Sequence, residues 1–451
     1  MNHVIISKLL KERHMSALKS ALETVQPADM AELFEELDEK ELPVVFRILP
    51  KDIAAEAFTY MNTETQQALI EAFSDAELKA VLDELFVDDT VDIIEEMPAN
   101  VASRILANST QASRQAINTI LAYPKDSVGS IMTLEYVRLN KSMTVGEAIE
   151  LIRRVGTDRE TIYTCYVTDS RRLVGIVEVK DLLTSTDEKV IEEIMETNFI
   201  SITTKEDKEE AALMFSKYDV IALPVVDTQN FLVGIVTVDD AMEVMQDEAT
   251  EDIKKMAAIT PIDKPYLEIG IFDTFKSRIL WLLVLMLSAT FTGMIITSFE
   301  DALQASVVLT AFIPMLMGTG GNSSSQASVT VIRGLALGEI EFRDTFKVLW
   351  KEARVSVICG IILAIANFIK MWVFDMMVMK TPGLGISEVL VVCLTLMLTV
   401  IVAKLVGCML PLLARKLKFD PAVMANPFIT TIVDALSLVI YFKIATMVLH
   451  L

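Results

Sequence analysis

Asp434 stands alone among apolar residues in Asn426-Pro-Phe-Ile-Thr430-Thr-Ile-Val-Asp434-Ala-Leu-Ser, 13 residues after Pro421. A carboxylate facing lipid costs at least about 2.5 kcal/mol on insertion scales, so such a residue is either paired or lines a polar path. Lys404 and Lys443 are the candidates for a structural pair; the other reading is a cation-binding carboxylate on a water-filled path. A second stretch, Pro314-Met-Leu-Met-Gly318-Thr-Gly-Gly321-Asn322-Ser-Ser-Ser325-Gln326, puts small and hydroxyl side chains inside another apolar segment. Asn322 and Gln326 are spaced i, i+4 and share a helix face. Two amides on one face suit a polar path better than a lipid surface, and glycine leaves backbone carbonyls free to face a cavity. Tight helix packing is the other use of the same small residues.

The remaining chemistry is acidic. Asp88, Asp89 and Asp92 sit in a dense acidic run that ends at Glu96, and Asp239, Asp240, Glu243, Asp247, Glu248, Glu251 and Asp252 form another. Positions 240, 243, 247 and 251 step by 3, 4 and 4, so on a helix they form one carboxylate face. A charge run is ordinarily a solvated face. Like charges at this spacing repel, however, and carboxylates without histidine or thiolate suit a hard divalent ion, Mg²⁺ or Ca²⁺.

Composition says which elements must position these groups. The 451 residues are 52% hydrophobic and 23% charged, which requires segregation. Residues 1–271 carry a net −25 and the rest +3. An acidic part joined to a nearly neutral apolar part excludes a simple soluble enzyme, a disordered chain and a disulfide scaffold. It also argues against nucleic acid, since phosphate binding needs clustered Lys and Arg. Cys165, Cys359, Cys393 and Cys408 form no CxxC pair and read as packing residues; His3, His14 and His450 lie near the termini, and neither HExxH nor GxxxxGK[ST] occurs. Residues 1–14 have no apolar h-region, so no cleaved signal is expected.

Residues 279–299 hold no charge in 21 positions, enough for one membrane helix. Further spans are expected at about 302–337, 355–379, 389–413 and 421–451, making five. Lys276, Arg278, Arg343, Lys347, Lys351, Arg354, Arg415, Lys416 and Lys418 flank the spans on one side. The positive-inside rule then puts the N-terminus in the cytosol and the C-terminus outside a multi-pass protein of the plasma membrane.

Two repeats organise the acidic part. Leu37, Leu49, Met61, Phe73, Leu85 and Met97 recur every 12 residues, each expected to close a short helix of a superhelical array. Between 131 and 245, Ile131-Met132 answers Ile194-Met195, Tyr166-Val-Thr-Asp169 answers Pro224-Val-Val-Asp227, and Val174-Gly-Ile-Val177 answers Val233-Gly-Ile-Val236 at an offset of 59. Each copy reads as strand, helix, two strands around a turn, and a second helix. This pattern resembles a tandem CBS pair, and Gly234-Ile-Val-Thr237-Val-Asp-Asp240 matches that family's nucleotide-site feature; the first copy has Glu178 in place of the threonine. The resemblance implies an adenine nucleotide such as ATP, with Thr237 and Asp240 as its residues.

The expected multidomain order is an acidic α-helical domain (1–129), an α/β CBS pair (130–249, divided at about 190), a connecting helix (250–270) and a five-helix transmembrane domain (271–451). Together with the Gly-Thr-Gly-Gly-Asn and Asn-Pro-(x)6-Asp elements, this order resembles the MgtE family of magnesium channels over nearly the whole chain. The resemblance implies a Mg²⁺-selective homodimer with its pore between the second and fifth spans, closed by cytosolic Mg²⁺ on the acidic domains. It implies Asp434 and Thr430 at the ion, with Gly318, Gly321, Asn322, Ser325, Gln326 and Asn426 lining the pore. Ser324 departs from the glycine often found at its position. Asp88, Asp89, Asp92, Asp240, Glu243, Asp247, Glu248, Glu251 and Asp252 are the expected regulatory metal residues. A CBS-regulated secondary transporter of another divalent cation or a small solute shares these modules and is the alternative; an enzyme is not expected.

Overall fold

The computed structural model describes every residue except 1–5, 7, 11, 13, 263–265, 268, 301–303, 305, 424, 425 and 451, and Asn426 without its side chain. Two compact units divide the chain, Met1–Met245 and Gln246–Leu451.

In the first unit the 12-residue period becomes a run of short helices from Met15–Leu22 to Gln111–Ile120. The period residues fall just beyond the helix ends rather than inside the last turns. Leu49, Met61, Phe73 and Met97 are buried there, and Leu37 and Leu85 pack against the same core. Phe46 is the hub, with the rings of Phe34, Phe58 and Phe73 at 6.4, 6.2 and 5.3 Å. Side-chain caps start two of the helices in the middle of the run. Asn62 accepts from the Thr65 amide, and Ser74 and Glu77 form a reciprocal capping box, which satisfies amide donors that a helix start otherwise leaves open. The helix α1 (Val87–Glu96) buries Val87, Thr90, Val91, Ile93 and Ile94. Its carboxylates at 88, 89 and 92 occupy the intervening positions.

The CBS pair follows as two three-stranded sheets of identical topology. In the first, β1 (Tyr136–Asn140) lies parallel to β2 (Thr161–Asp169), which pairs antiparallel with β3 (Arg172–Glu178). In the second, β4 (Ile202–Thr203), β5 (Ala222–Val226) and β6 (Leu232–Thr237) repeat the order. The copies exchange edges reciprocally. Thr133, at the entry of the first copy, bridges Ile235 of the second, and Glu196, at the entry of the second, bridges Ile176 of the first. Tyr166, Leu173, Ala222, Val226, Leu232 and Ile235 fill the shared core.

This exchange explains the glycine inside both Val-Gly-Ile-Val strands. A Cβ on Gly234 would come within 2.8 Å of the Met132 sulfur and of the Thr133 carbonyl oxygen, and one on Gly175 would meet Met195 and the Glu196 carbonyl at 2.8 and 3.0 Å.

After β6, α2 (Val238–Met256) begins in the first unit and ends in the second. The acidic connecting helix expected from about 250 is thus the end of a longer helix. The apolar part comprises α3 (Ile271–Ser298), α4 (Ile313–Ala336), α5 (Thr345–Lys370), α6 (Ile386–Lys416) and α7 (Asn426–Leu449). Four of these regions, 271–298, 342–378, 386–416 and 427–449, are long and apolar enough to cross a membrane. With 24 residues, α4 is about 36 Å long, which also suffices, but its Gly, Ser and Thr run dilutes the hydropathy below the other four. The expected start of this span at 302 lies outside the described residues.

Contacts at the α4 end support a crossing. Arg415, near the end of α6, donates to the Leu335 carbonyl at the end of α4 over 3.0 Å, and Met256 of α2 packs with Ile332 and Ala422. The ends of α2, α4 and α6 therefore lie on one side of the bundle.

The reciprocal edge exchange predicts that Gly234→Ala destabilises the chain by about 1–3 kcal/mol, because backbone and sulfur both block the added methyl group. A thermal or denaturant melt of the purified protein, followed at the soluble part, checks it; an unchanged midpoint would show that the junction relaxes freely.

Candidate functional site

In the first unit, α1 and the start of α2 bring their acidic residues together. Asp88 and Asp92 act electrostatically on Asp240, Asp89 on Asp239 and Glu243, and Glu135 and Glu160 of the CBS pair join the group. Burial, followed by repulsion from Asp240 and Glu160, pushes Asp88 well above the usual carboxylate range. Burial leads at Asp89, Asp240 and Glu160 too, with carboxylate repulsion adding to it, and Asp92, which reaches solvent, is raised by its crowded setting beside Asp240 and Glu243. Asp89 is held at about 6, Asp240 at about 7, and Asp92 and Glu160 at about 8.

Local hydrogen bonds set the orientations. Glu135 accepts from the Val87 amide and the Thr133 hydroxyl, both at 3.1 Å, and Arg159 acts on it favourably, although burial still raises its pKa. Asp240 accepts from the Thr237 hydroxyl at 2.7 Å, so the two residues of the expected nucleotide feature are coupled and Asp240 also belongs to the acidic group. In the first copy Glu178 instead pairs with Lys180 at 2.5 Å. One Glu160 oxygen is buried without a hydrogen-bond partner among the described residues.

Sequence reasoning missed Glu135 and Glu160. Each is a lone glutamate beside a strand, and only the packing of α1 on the CBS pair gives them a common purpose. Among the described residues no three His, Cys, Asp or Glu side chains converge as a direct coordination shell. An ion that keeps most of its water, as Mg²⁺ does, fits such spaced carboxylates better than one that must be stripped.

Farther along α2, Asp247 and Glu248 belong to the second unit, as do Glu251 and Asp252. Lys255 holds Glu251 and Asp420 at 2.8 Å each, and although burial works to lower its pKa, these two partners hold it above the ordinary ammonium range. Asp252 is raised by burial and then by Asp420. The end of α2 is thereby tied to the loop before α7.

The membrane-spanning helices hold the other site. In α4, Gly320 is buried where a Cβ would meet Thr399 of α6 and Ser437 of α7 at 2.9 Å, and a Cβ on Gly321 would stand 2.7 Å from the Thr430 methyl. Gly407 of α6 lies against the Ser324 backbone. Ser324 continues the helix, fully buried, with its hydroxyl bonded to the Gly321 carbonyl at 2.8 Å. The departure from glycine therefore leaves the backbone path helical.

The expected lining residues divide. Gly321 packs against Thr430, Ser325 is half-buried, and Gly318, Asn322 and Gln326 form an exposed polar stripe at i, i+4, i+8. The Asn426 side chain lies outside the described residues. Asp434, one turn beyond Thr430, is half-buried; its Oδ1 has no hydrogen-bond partner, and it has no ion pair among the described residues. Lys404 faces Glu352 at 4.0 Å instead, both mostly buried, and Lys443 is exposed. The structural-pair reading of Asp434 therefore finds no partner.

Comparisons agree with this layout. The MgtE intracellular N domain model matches residues 25–126, the CBS domain model 128–187 and 191–247, and the MgtE divalent cation transporter model 313–444. The magnesium transporter MgtE of Thermus thermophilus is 36% identical over 452 residues, covering 99% of this chain and 98% of the relative. The chain belongs to the MgtE family of magnesium transporters.

The Bacillus subtilis magnesium transporter MgtE is 33% identical across 98% of this chain and 96% of its own. Among solved structures, the cytosolic domain of the Mg²⁺ channel MgtE in complex with ATP is 34% identical with a TM-score of 0.51, covering 54% of this chain and 99% of that one. The soluble part of a magnesium transporter is 27% identical with a TM-score of 0.52, covering 55% and 98%. As an MgtE-family protein the chain is a multi-pass transporter with an intracellular N domain, and not an enzyme.

The raised carboxylates fix a pH dependence. Groups whose folded pKa lies above the unfolded value bind protons more tightly in the folded state, so their stabilisation is present below about pH 4 and lost as pH rises through about 6 to 8. In chelator, the melting midpoint of the soluble part is expected to fall between about pH 5.5 and about pH 8.5, and millimolar Mg²⁺ should flatten the slope. A slope that Mg²⁺ leaves unchanged would remove this group from any cation response.

Proposed function

We propose that the protein is a homodimeric Mg²⁺ channel of the plasma membrane, opened by charge repulsion in its acidic domains and closed when cytosolic Mg²⁺ relieves it. The observation that carries this is the unpartnered Asp434 carboxylate beside the close contact of α4 with α7. Mg²⁺ releases water reluctantly, so symmetry-related Asp434 side chains, with Thr430 beside them, would hold a largely hydrated ion by charge and hydrated size and still let it leave.

The exposed stripe of Gly318, Asn322 and Gln326 supports the dimer, because amides on a membrane helix are costly against lipid and suit a shared polar path. Asn426, at the start of α7, is assigned by the same reading to the mouth of that path. Five spans then put the C-terminus outside, with the N-terminus cytosolic.

Regulation is assigned to two groups. Asp88, Asp89, Asp92, Asp240 and Glu243, joined by Glu135 and Glu160, sense divalent cations in the first unit; Asp247, Glu248, Glu251 and Asp252 continue that role along α2. Closure requires that the closed state bind Mg²⁺ more tightly than the open one. The end of α2 contacts Ile332 of α4 and, through Lys255, Asp420 before α7, so it touches the approaches to both pore helices. The CBS pair is assigned an adenine nucleotide, ATP by analogy with the solved cytosolic domain, at Thr237 and Asp240.

Two outcomes test the reading. Asp434→Ala should reduce Mg²⁺ flux into proteoliposomes to background while the variant still elutes as a folded dimer; normal flux would return Asp434 to a structural role. Replacing Asp240, Glu243, Glu248, Glu251 and Asp252 together by Ala removes both cation sites and repulsion. At high Mg²⁺ the repulsion is already neutralised, so loss of the sites dominates. Inside-out patches of that variant should stay open at internal Mg²⁺ concentrations that shut the wild type, and closure at the wild-type concentration would place the gate's control elsewhere.

A further inference from the structure

From Gly318 onward, the exposed positions of α4 are Gly318, Asn322, Gln326, Val329, Thr330 and Arg333. At about 100° per residue they fall within an arc of about 120°, so the polar stripe of Gly318, Asn322 and Gln326 continues to Arg333. Arg333 is the only charged side chain in the helix. It stands 12 residues beyond Gly321, the position that meets Thr430, which is about 18 Å along the axis. That direction leads to the end α4 shares with α2 and α6, the side of the intracellular N domain.

The end of α4 does not need this cation as a cap. Arg415 already donates to the Leu335 carbonyl at 3.0 Å, and the amides of Leu337 and Ile340 bond to the Arg333 and Gly334 carbonyls. The Arg333 side chain makes no hydrogen bond or ion pair among the described residues. Its electrostatic partner lies on α2. Met256 packs with Ile332, the neighbour of Arg333, and one turn earlier Arg333 acts favourably on the Asp252 carboxylate, which burial and Asp420 otherwise disfavour. Attraction without a direct ion pair offsets the guanidinium only in part, by an amount that depends on where α2 sits. Lipid is a poor setting for this face, because an arginine and two amides would all have to be desolvated there.

We propose that Arg333 sets how readily Mg²⁺ leaves the path. In each protomer its charge stands at the intracellular mouth and opposes a passing cation, twice as strongly for a divalent as for a monovalent ion, and Asp252 offsets it according to the position of α2. Arg333 acts in this way only if its face of α4 lines the path to which Asp434 belongs, as proposed above. Inside-out patches with Mg²⁺ outside and a chelator inside keep the gate open and give the unitary inward current, which separates conduction from gating. Arg333→Gln should raise that current at least about twofold, and Arg333→Lys, which keeps the charge, should leave it at the wild-type level. Raising an impermeant internal salt from about 0.1 M to about 1 M shortens the screening length from about 10 Å to about 3 Å, and should raise the wild-type current while leaving that of Arg333→Gln unchanged. Asp252→Asn should lower the current on its own and have no effect beside Arg333→Gln. A current that needs Asp434 but ignores both Arg333→Gln and internal salt overturns this role and leaves the transport reading intact; so does one raised equally by Arg333→Lys. A current that persists in Asp434→Ala removes the path itself, and the role of Arg333 with it.

Discussion

Asp88, Asp89 and Asp92 face Asp239, Asp240 and Glu243 with carboxylates as their strongest electrostatic neighbours. Away from bulk water the effective dielectric falls, so like charges held near one another in a packed region repel more strongly than they would in solution. Burial is the larger reason Asp88 and Asp89 resist ionisation there, and this repulsion adds to it. A fold that keeps these groups together must tolerate the repulsion, protonate, or take up a cation.

The membrane part solves a related problem with different means. Its helices approach closely because Gly320, Gly321 and Gly407 stand where a side chain would collide with Thr399, Ser437, Thr430 or the Ser324 backbone. Small residues at these contacts supply the van der Waals packing that replaces the hydrophobic effect in lipid. With α4, α6 and α7 fixed in this way, Asp434 is held half-buried without a neutralising lysine, while Lys404 is taken by Glu352 on α5. Close packing on one side of α4 leaves its Gly318, Asn322 and Gln326 side outward. The same helix therefore carries a sealed face and a polar one.

Much of this was legible because it is local. A 59-residue offset places Gly175 and Gly234 in matching strands, and a 12-residue period reports one apolar anchor per short helix. Mid-span Asp434 advertises itself by contrast with its neighbours. Pairings across the fold left no such trace. Glu160 joins the acidic group through packing of α1 on the CBS pair, and Glu352 reaches Lys404 across two helices 52 residues apart. The extent of α2 was hidden for another reason: its amphipathic start and its acidic end differ in pattern, though the backbone runs helical from Val238 to Met256.

That helix is also polarised in charge. Asp239 and Asp240 occupy its first turn, where the positive end of the helix dipole favours them, and Lys254 and Lys255 its last, where the negative end favours cations. Under the proposed regulation, a change in cation concentration would act where Asp239 and Asp240 meet the carboxylates of α1. At the other end Lys255 bridges Glu251 and Asp420 and ties the helix to the loop before α7. Uniform charge along α2 would let a divalent ion loosen or tighten both ends together, and the signal would be spent in fraying the helix. With its end fixed to the loop before α7, α2 is the element through which the proposed neutralisation of the carboxylates would be felt at the membrane part.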